Sequence, residues 1–478
     1  MPVVTLDGEP ASDQRPLRVA VVGAGPAGIY AAEALAAQDD VPVAVDLLDR
    51  LPTPFGLVRH GIAPDHLKMR ALSETLRRTL DHPRVRFVGN VEIGTDLSLA
   101  ELRGHTDAVV YTYGAAGDRR LGIEGEQLPG SLAATDLVAW YCGHPDADRQ
   151  LVEPLLARAR DVVVVGVGNV ALDVARVLAR CPAELAGTDM PQHVLDTLAA
   201  APVEQVTVLG RRGPAQATFT TQELRELDHL ERATVVVDPA DLPGADEPAD
   251  RAVARNLATM RDWAGHAPEP GRATVRLRFY ARPVRLLGTD RVTGVEVERT
   301  TVTGEGRAVG TGLVDVVPAD LVVRSVGYRG HPLPGLAVDE STGTVPHEAG
   351  RVLRDGRRSR GEYVAGWIKR GPTGVVGTNK HDARETVAAL LADAADGTLT
   401  AHGPVDDLVA TLRAHGADPV LLADWRAIDA AEVALGATRG RARTTMHERA
   451  ALLAAARATA VPESLPEAVP EAVAEPGD

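Results

Sequence analysis

Apolar positions along this chain fall into two alternating rhythms. Residues 19–22, VAVV, form a β-branched run that leads through a glycine-rich turn into an alanine-rich stretch with helical patterning up to Leu35. Residues 43–48 form a second apolar run and end in Asp49, Leu72, Leu76 and Leu80 recur at helical spacing, and residues 107–113, DAVVYTY, read as another parallel strand. Strand alternating with helix predicts a parallel sheet in an α/β fold. Between these elements, Pro52, Pro54, Gly56 and Gly61 preclude a regular helix, and Asp65 is placed to cap the helix that follows. Residues 115–120 form a crossing segment, so the first unit pauses near residue 118.

The same rhythm then starts again. Residues 161–180, DVVVVGVGNVALDVARVLAR, are a four-valine strand, a glycine turn and an amphipathic helix, and the next strand spans 206–209. Residues 239–272 are polar and bounded by prolines, with a helical middle. Alternation over 273–300 and 311–323 predicts an antiparallel layer returning to residues 321–326. A glycine-rich loop, 363–380, leads into a helical run from about His381, and beyond 395 the pattern is helical and alanine-rich to about Thr459. Residues 462–478 carry five acids and no bases and are expected to be disordered.

A length of 478 residues implies two or three domains. Aromatics are only 3%, so the cores must be built from Ala, Val and Leu. A net charge of −15 argues against a nucleic-acid-binding surface covering the whole molecule, though not against local basic patches, and no segment approaches an uncharged membrane span, so membrane insertion is not expected. Two cysteines, Cys142 and Cys181, form no CxxC motif and no metal spacing, which points to a reducing, cytoplasmic setting and no thiol chemistry.

The candidate chemistry lies in the turns. In the G-x-G-x-x-G turn, Gly23 makes the bend, Gly25 lets the backbone approach a pyrophosphate and Gly28 lets helix and strand pack, while Asp49 stands where an acid binds a ribose hydroxyl. A second turn, Gly166-x-Gly168-x-x-Ala171, implies a second dinucleotide. The strand after it ends in Arg211 and Arg212 where an NAD site would carry an acid, and two guanidinium groups there can hold a 2′-phosphate, so the second cofactor is expected to be NADP(H). By its spacing from Thr220, Glu223 completes a capping box. The loop through Gly366, Gly371, Gly374 and Gly377 precedes a helix whose positive end could face the N1 and O2 atoms of a flavin.

Taken in order, G-x-G-x-x-G, LPTPFGLVRHGIAPDHLK, GVGNVALDVAR, GRRG followed by TFTTQELREL, and VAGWIKRGPTGVVGTNK resemble the adrenodoxin-reductase-like NADPH:ferredoxin reductases, above all the bacterial members of mycobacterial type. The likeness runs from about residue 18 to about 450. It implies two Rossmann-like dinucleotide-binding domains, the NADP domain (119–326) inserted in an FAD domain (17–118 and 327–460), ahead of the acidic tail (461–478). It further implies FAD contacts at Ala27, Asp49, Leu57, Ile93, Arg119, Trp367, Gly374, Val375 and Val376, and NADP contacts at Gly168, Asn169, Val170, Arg211, Arg212, Glu223 and Gly374. His66 and Glu226 resemble paired polar residues near the flavin that modulate hydride transfer. Asp49 stands where relatives often carry glutamate, and Phe55 replaces a common tryptophan.

The implied reaction moves hydride between NADPH and FAD and single electrons between FAD and an acidic ferredoxin-type iron–sulfur protein, with the enzyme a monomer or weak dimer. A thiol–disulfide reductase would need a cysteine pair and a glutamate-synthase-like subunit would need cluster cysteines, so both are set aside. An NADPH diaphorase or quinone reductase, and a non-enzymatic flavin or NADP redox sensor, stay open. Because the whole chain is negative, docking of an acidic partner must use a local patch, for which Arg59, His60, Lys68, Arg70, Lys369, Arg370 and Lys380 are the candidates.

Overall fold

The computed structural model describes residues 15–244, 250–374, 376–401 and 406–458. The acidic tail lies outside the described residues. An eight-stranded sheet forms around the strand Leu17–Val22, which pairs in parallel with Val43–Leu48 on one side and Ala108–Tyr111 on the other. Val85–Gly89 and Arg357–Val364 extend it in parallel, and short antiparallel strands finish both edges.

Both faces are buried at the centre of this sheet, which is why residues 19–22 and Ala108–Tyr111 read as unbroken apolar runs. Val19 and Val21 pack on one side with Ile29 and Leu35 of the helix Pro26–Ala36 and with Ala383, Val387 and Leu390 of the helix Val376–Ala395. Ala20 and Val22 pack on the other side with Leu99 and Leu102 of the helix Leu99–His105 and with Leu408 and Leu412 of Leu408–Ala414.

The second sheet has six strands, all parallel, in the spatial order Ser131–Ala133, Leu321–Arg324, Asp161–Val165, Gln205–Leu209, Ala273–Arg278, Ala233–Val237. Val162 and Val164 face the helix Asn169–Ala179. Val163 and Val165 face a three-stranded antiparallel layer, Ala281–Leu287, Gly294–Val302 and Ala308–Pro318. The antiparallel layer expected over 273–323 is therefore smaller than its alternation suggested: residues 273–278 and 321–324 belong to the parallel sheet. Thr274 sits buried between two parallel neighbours, so an alternating sequence there does not mark a solvent face.

All strands of the second sheet lie between two passages of the chain that run side by side. Gly117–Asp118 pairs antiparallel with Tyr328–Arg329, and the Arg119 amide donates to the Gly327 carbonyl at 3.1 Å. Asp118 accepts from Arg324 across the same junction. Among the described residues no helix is long and apolar enough to cross a membrane.

Candidate active site

The carboxyl ends of the two parallel sheets face a common cavity of about 1690 Å³. Its wall includes Val22, Gly23, Leu48, Asp49 and Thr112 from the first sheet and Val165, Gly166, Leu209 and Gly210 from the second. This is where an open α/β sheet binds ligands, because the strand ends splay and the helices begin there.

The two glycine turns are built alike. Gly23 (φ +110°) and Gly166 (φ +130°) adopt backbone that a side chain rarely reaches, and their amides donate to Leu48 O at 2.8 Å and Leu209 O at 3.0 Å. The following helices begin at Pro26 and Asn169, capped by Gly25 and Gly168, neither of which supplies a side-chain cap. The first-turn amides are thus left without side-chain acceptors, as a bound phosphate requires. Gly28 does not line the cavity. A Cβ on it would stand 1.9 Å from Gly23 O, so its part is to let helix and turn touch.

Ala27, Asp49, Leu57, Ile93, Arg119, Trp367 and Gly374, all expected at FAD, line this one cavity. The loop after Asp49 folds back on the first turn: Phe55 N donates to Ala24 O at 2.8 Å, and Leu57–His60 makes a single helical turn where prolines and glycines had predicted none. Phe55 is buried edge-on against Trp425, ring centres 5.5 Å apart, which makes it a packing residue. Asp49 accepts from Ala24 N at 2.7 Å and Leu51 N at 2.9 Å, so its shorter side chain is tied to the turn itself. Burial raises its carboxyl above the usual range against the pull of those two amides. Trp367 Nε1 is buried without a hydrogen-bond partner, and the Trp367 ring lies 5.5 Å from that of Tyr328, a second aromatic residue in the wall. Unpartnered indole, uncapped helix and glycine cradle together fit a flavin dinucleotide. Val375 lies outside the described residues, and Val376 opens the helix that was expected from about His381.

Gly168, Asn169, Val170, Arg211, Arg212 and Glu223, expected at NADP, line the same cavity. Arg211 is exposed and Arg212 half-buried, and among the described residues neither forms an ion pair; Arg212 only donates to Gln216 O at 3.4 Å. Thr300 fixes the turn by donating to Arg211 O at 2.7 Å. A pair of guanidinium groups without carboxylate partners, following the strand that pairs with Asp161–Val165, has the chemistry to hold an anion.

His66 lies in the wall, but its expected partner does not. Glu226 is half-buried and does not line the cavity. The carboxylates at His66 Nε2 are Asp173 Oδ1 at 2.9 Å and Glu223 Oε2 at 2.8 Å, the second an ion pair lacking the alignment of a hydrogen bond. The reason lies in the helix register: Thr220 caps the Glu223 amide at 3.3 Å, yet the Glu223 side chain turns inward to the cations instead of closing the capping box. Asp65 likewise does not cap. It accepts from Arg176 Nε at 2.8 Å and from Arg180 at 2.8 Å. Arg176, fully buried, also lies 2.8 Å from Asp173 and 2.7 Å from His66 Nε2. Three carboxylates thus meet three cations across the gap between the 52–70 loop and the second sheet's helix. Burial alone would lower His66, but Asp173 and Glu223 outweigh it and hold the imidazolium up to about 9. One ligand atom each of His66, Asp173 and Glu223 lie within 4.8 Å of one another, with the Arg176 guanidinium among them.

Asp173 and Arg176 went unnoticed in the sequence. Their signal was present: two charges three residues apart on the otherwise apolar face of ALDVARVLA.

Three of the seven residues expected in the docking patch are buried. Arg59 is buried in an ion pair with Glu432, His60 is buried, and Lys369 is buried against Asp382 at 2.8 Å and Glu385 at 3.0 Å. Arg70 pairs with Asp189, Lys380 pairs with Glu33 at 2.8 Å, and Arg370 donates to Asn379 at 2.8 Å. Of the seven, Lys68 alone is exposed without such a partner. Arg59, Arg70, Lys369 and Lys380 meet the acids Glu432, Asp189, Asp382 and Glu33, a pairing that local sequence does not reveal.

Residues 17–232 match the family described as pyridine nucleotide-disulphide oxidoreductase. NADPH-ferredoxin reductase FprA of Mycobacterium tuberculosis is 44% identical over 92% of this chain and 99% of its own, and the mitochondrial NADPH:adrenodoxin oxidoreductase of Arabidopsis thaliana is 37% identical over 93% and 96%. The structure of M. tuberculosis FprA in complex with NADPH superposes with a TM-score of 0.87 at 43% identity, covering 92% of this chain and 100% of that one. Two phosphate turns facing one cavity, an arginine pair beside the second, and this likeness along nearly the whole length carry one conclusion: the chain belongs to the adrenodoxin-reductase-like NADPH:ferredoxin reductases.

Proposed function

We propose that this chain is an NADPH-dependent reductase of an acidic ferredoxin-type iron–sulfur protein, working in the cytoplasm as a monomer or weak dimer. The observation that carries the reading is the single cavity lined by both phosphate turns, which lets two dinucleotides meet end to end within one chain. The redox chemistry, hydride acceptance from the nicotinamide and release of single electrons, would be supplied by a bound FAD. The chain supplies position and exclusion. The amides after Gly25 and Gly168 would hold the two pyrophosphates, Asp49 the flavin's adenosine ribose, Trp367 and Gly374 the flavin ring, and Arg211 with Arg212 the 2′-phosphate of NADPH. In this reading residues 17–118 and 327–460 carry the flavin and residues 119–326 the nicotinamide.

The ionic cluster at His66 fastens the two carriers at the cavity wall. Its proton stays on His66 at neutral pH, so the wall presents a fixed imidazolium rather than a titrating group. Because alignment of two rings governs a hydride step, a rigid wall is worth more here than an acid or base.

The test is reduction of a purified acidic ferredoxin by the holoenzyme with NADPH or NADH as donor. Faster ferredoxin reduction with NADPH is expected. Rapid turnover of a small quinone with no reduction of any ferredoxin would replace this reading with a diaphorase.

A further inference from the structure

Residues 143–146, between the helices Ala134–Tyr141 and Arg149–Leu156 of the second unit, reach over to the first unit beside Asp49. His144 and Asp146 line the cavity there together with Arg50, Leu51 and Val91. Asp146 stands between two arginines. One oxygen accepts from Arg50, and the other lies 3.1 Å from Arg449. Arg449, on the helix Arg449–Ala458, also donates to Arg50 O at 3.1 Å and to Asn90 Oδ1 at 2.9 Å. Three distant parts of the chain are joined at one carboxylate.

The rest of this short segment is anchored from below. Gly143 (φ +66°) packs so closely on Pro191 and Thr445 that a Cβ would stand 2.7 Å from the proline, the His144 ring lies 4.9 Å from that of His60, and the Asp146 amide donates to His144 Nδ1 at 3.0 Å. What crosses from it to the first unit's strand end is the Asp146 carboxylate.

We propose that Asp146 is a clasp that retains FAD: it fastens residues 143–146 of the nucleotide-donor unit over the adenosine end of the flavin site, so that the flavin leaves only after the Arg50 and Arg449 bonds open. The proposal rests on the assignment of that end of the cavity to the flavin's adenosine through Asp49. Arg50, Asp146 and Arg449 are each 35–45% exposed, so the clasp is open to salt and its strength is modest. It acts on the rate of release and leaves the reaction itself alone.

The holoenzyme is diluted to nanomolar concentration and FAD release is followed as the rise in flavin fluorescence, for the parent chain and for Asp146→Asn, Arg449→Gln and Asp49→Ala. Asp146→Asn should release FAD about five-fold faster at low salt, since two half-exposed ion pairs open together. Salt should speed release from the parent chain and leave Asp146→Asn unchanged, and Arg449→Gln, which keeps the Arg50–Asp146 pair, should release FAD at a rate between the two and retain a weaker salt dependence. Apoprotein melting should stay at the parent value in both. Release at the parent rate in both variants, with faster release in Asp49→Ala, overturns the clasp and leaves the adenosine assignment standing. Parent-like release in all three overturns both. Faster release matched by an equal loss of apoprotein stability would make the contact a folding contact and overturn the clasp as well. If Asp146→Asn does not fold, Arg449→Gln carries the same reading.

Discussion

Raising the pH should weaken this protein through one imidazole. His66 is held up to about 9, against 6.5 for a free histidine, by Asp173 and Glu223. Between those two values the folded chain keeps the His66 proton and the unfolded chain has lost it. Stability therefore falls as pH rises, by about 1.4 kcal/mol for each unit. The stabilisation is fully present below pH 6.5 and is lost through pH 9, about 3 kcal/mol in all, with His66 buried enough that solvent screening removes little of it. The perturbation is His66→Gln, which keeps a hydrogen-bonding side chain and removes the titration. Apoprotein unfolding in urea between pH 6 and pH 10 should show the decline in the parent chain and a flatter profile in the variant. Because two units unfold, the comparison belongs to the transition that exposes the 52–70 loop, followed by hydrogen exchange at Asp173–Arg176 amides. Identical pH profiles in the two proteins, or a His66 ring resonance titrating near 6.5, would refute the reasoning.

Arg211→Ala with Arg212→Ala should raise KM for NADPH by about a hundredfold, the loss of two charge-assisted contacts at about 1.5 kcal/mol each, while KM for NADH stays put; equal losses would mark a structural turn. Gly374 has φ +82° and would place a Cβ 2.7 Å from Thr378 Oγ1, so Gly374→Val should slow NADPH-driven flavin reduction in stopped flow, and an unaltered rate would remove it from the ring site. Arg59→Ala leaves Glu432 buried without its arginine fork and should cost about 3–5 kcal/mol, read as a fall in the thermal midpoint, whereas a neutral change would mean that water reaches the carboxylate. Lys369→Glu should lower folded yield before it alters ferredoxin association, because its partners Asp382 and Glu385 would become a cluster of like charges.

What the sequence made legible followed from short-range rules. Gly23 and Gly166 announced both turns because the bend and the close approach are fixed by a few neighbouring residues, and the strands beside them were plain because both of their faces are buried. Arg211 and Arg212 were legible for the same reason: their meaning depends only on standing at the end of a strand after a glycine turn. The partners of His66 were not, since Asp173 and Glu223 reach it from helices more than a hundred residues away. Thr220 and Glu223 show the conflict directly. Local spacing asks for a capping box, and the buried Arg176 and His66 draw the carboxylate inward. The basic loops failed for the complementary reason: a row of cations looks like surface until the acids of Glu432, Asp189 and Asp382 are folded against it.

The paired strands Gly117–Asp118 and Tyr328–Arg329 bear on how such a chain could have come to exist. Entry and exit of the second unit meet within one hydrogen bond, Arg119 N to Gly327 O. A segment whose two ends touch can be spliced into a host between neighbouring strands without moving either of them. The host's sheet runs on from Ala108–Tyr111 to Arg357–Val364 as adjacent parallel partners, as though nothing had been added between them. If residues 119–326 form one inserted unit, exchanging it would mean refitting the ion cluster of Asp65, His66, Asp173, Arg176 and Glu223 as well as the junction itself.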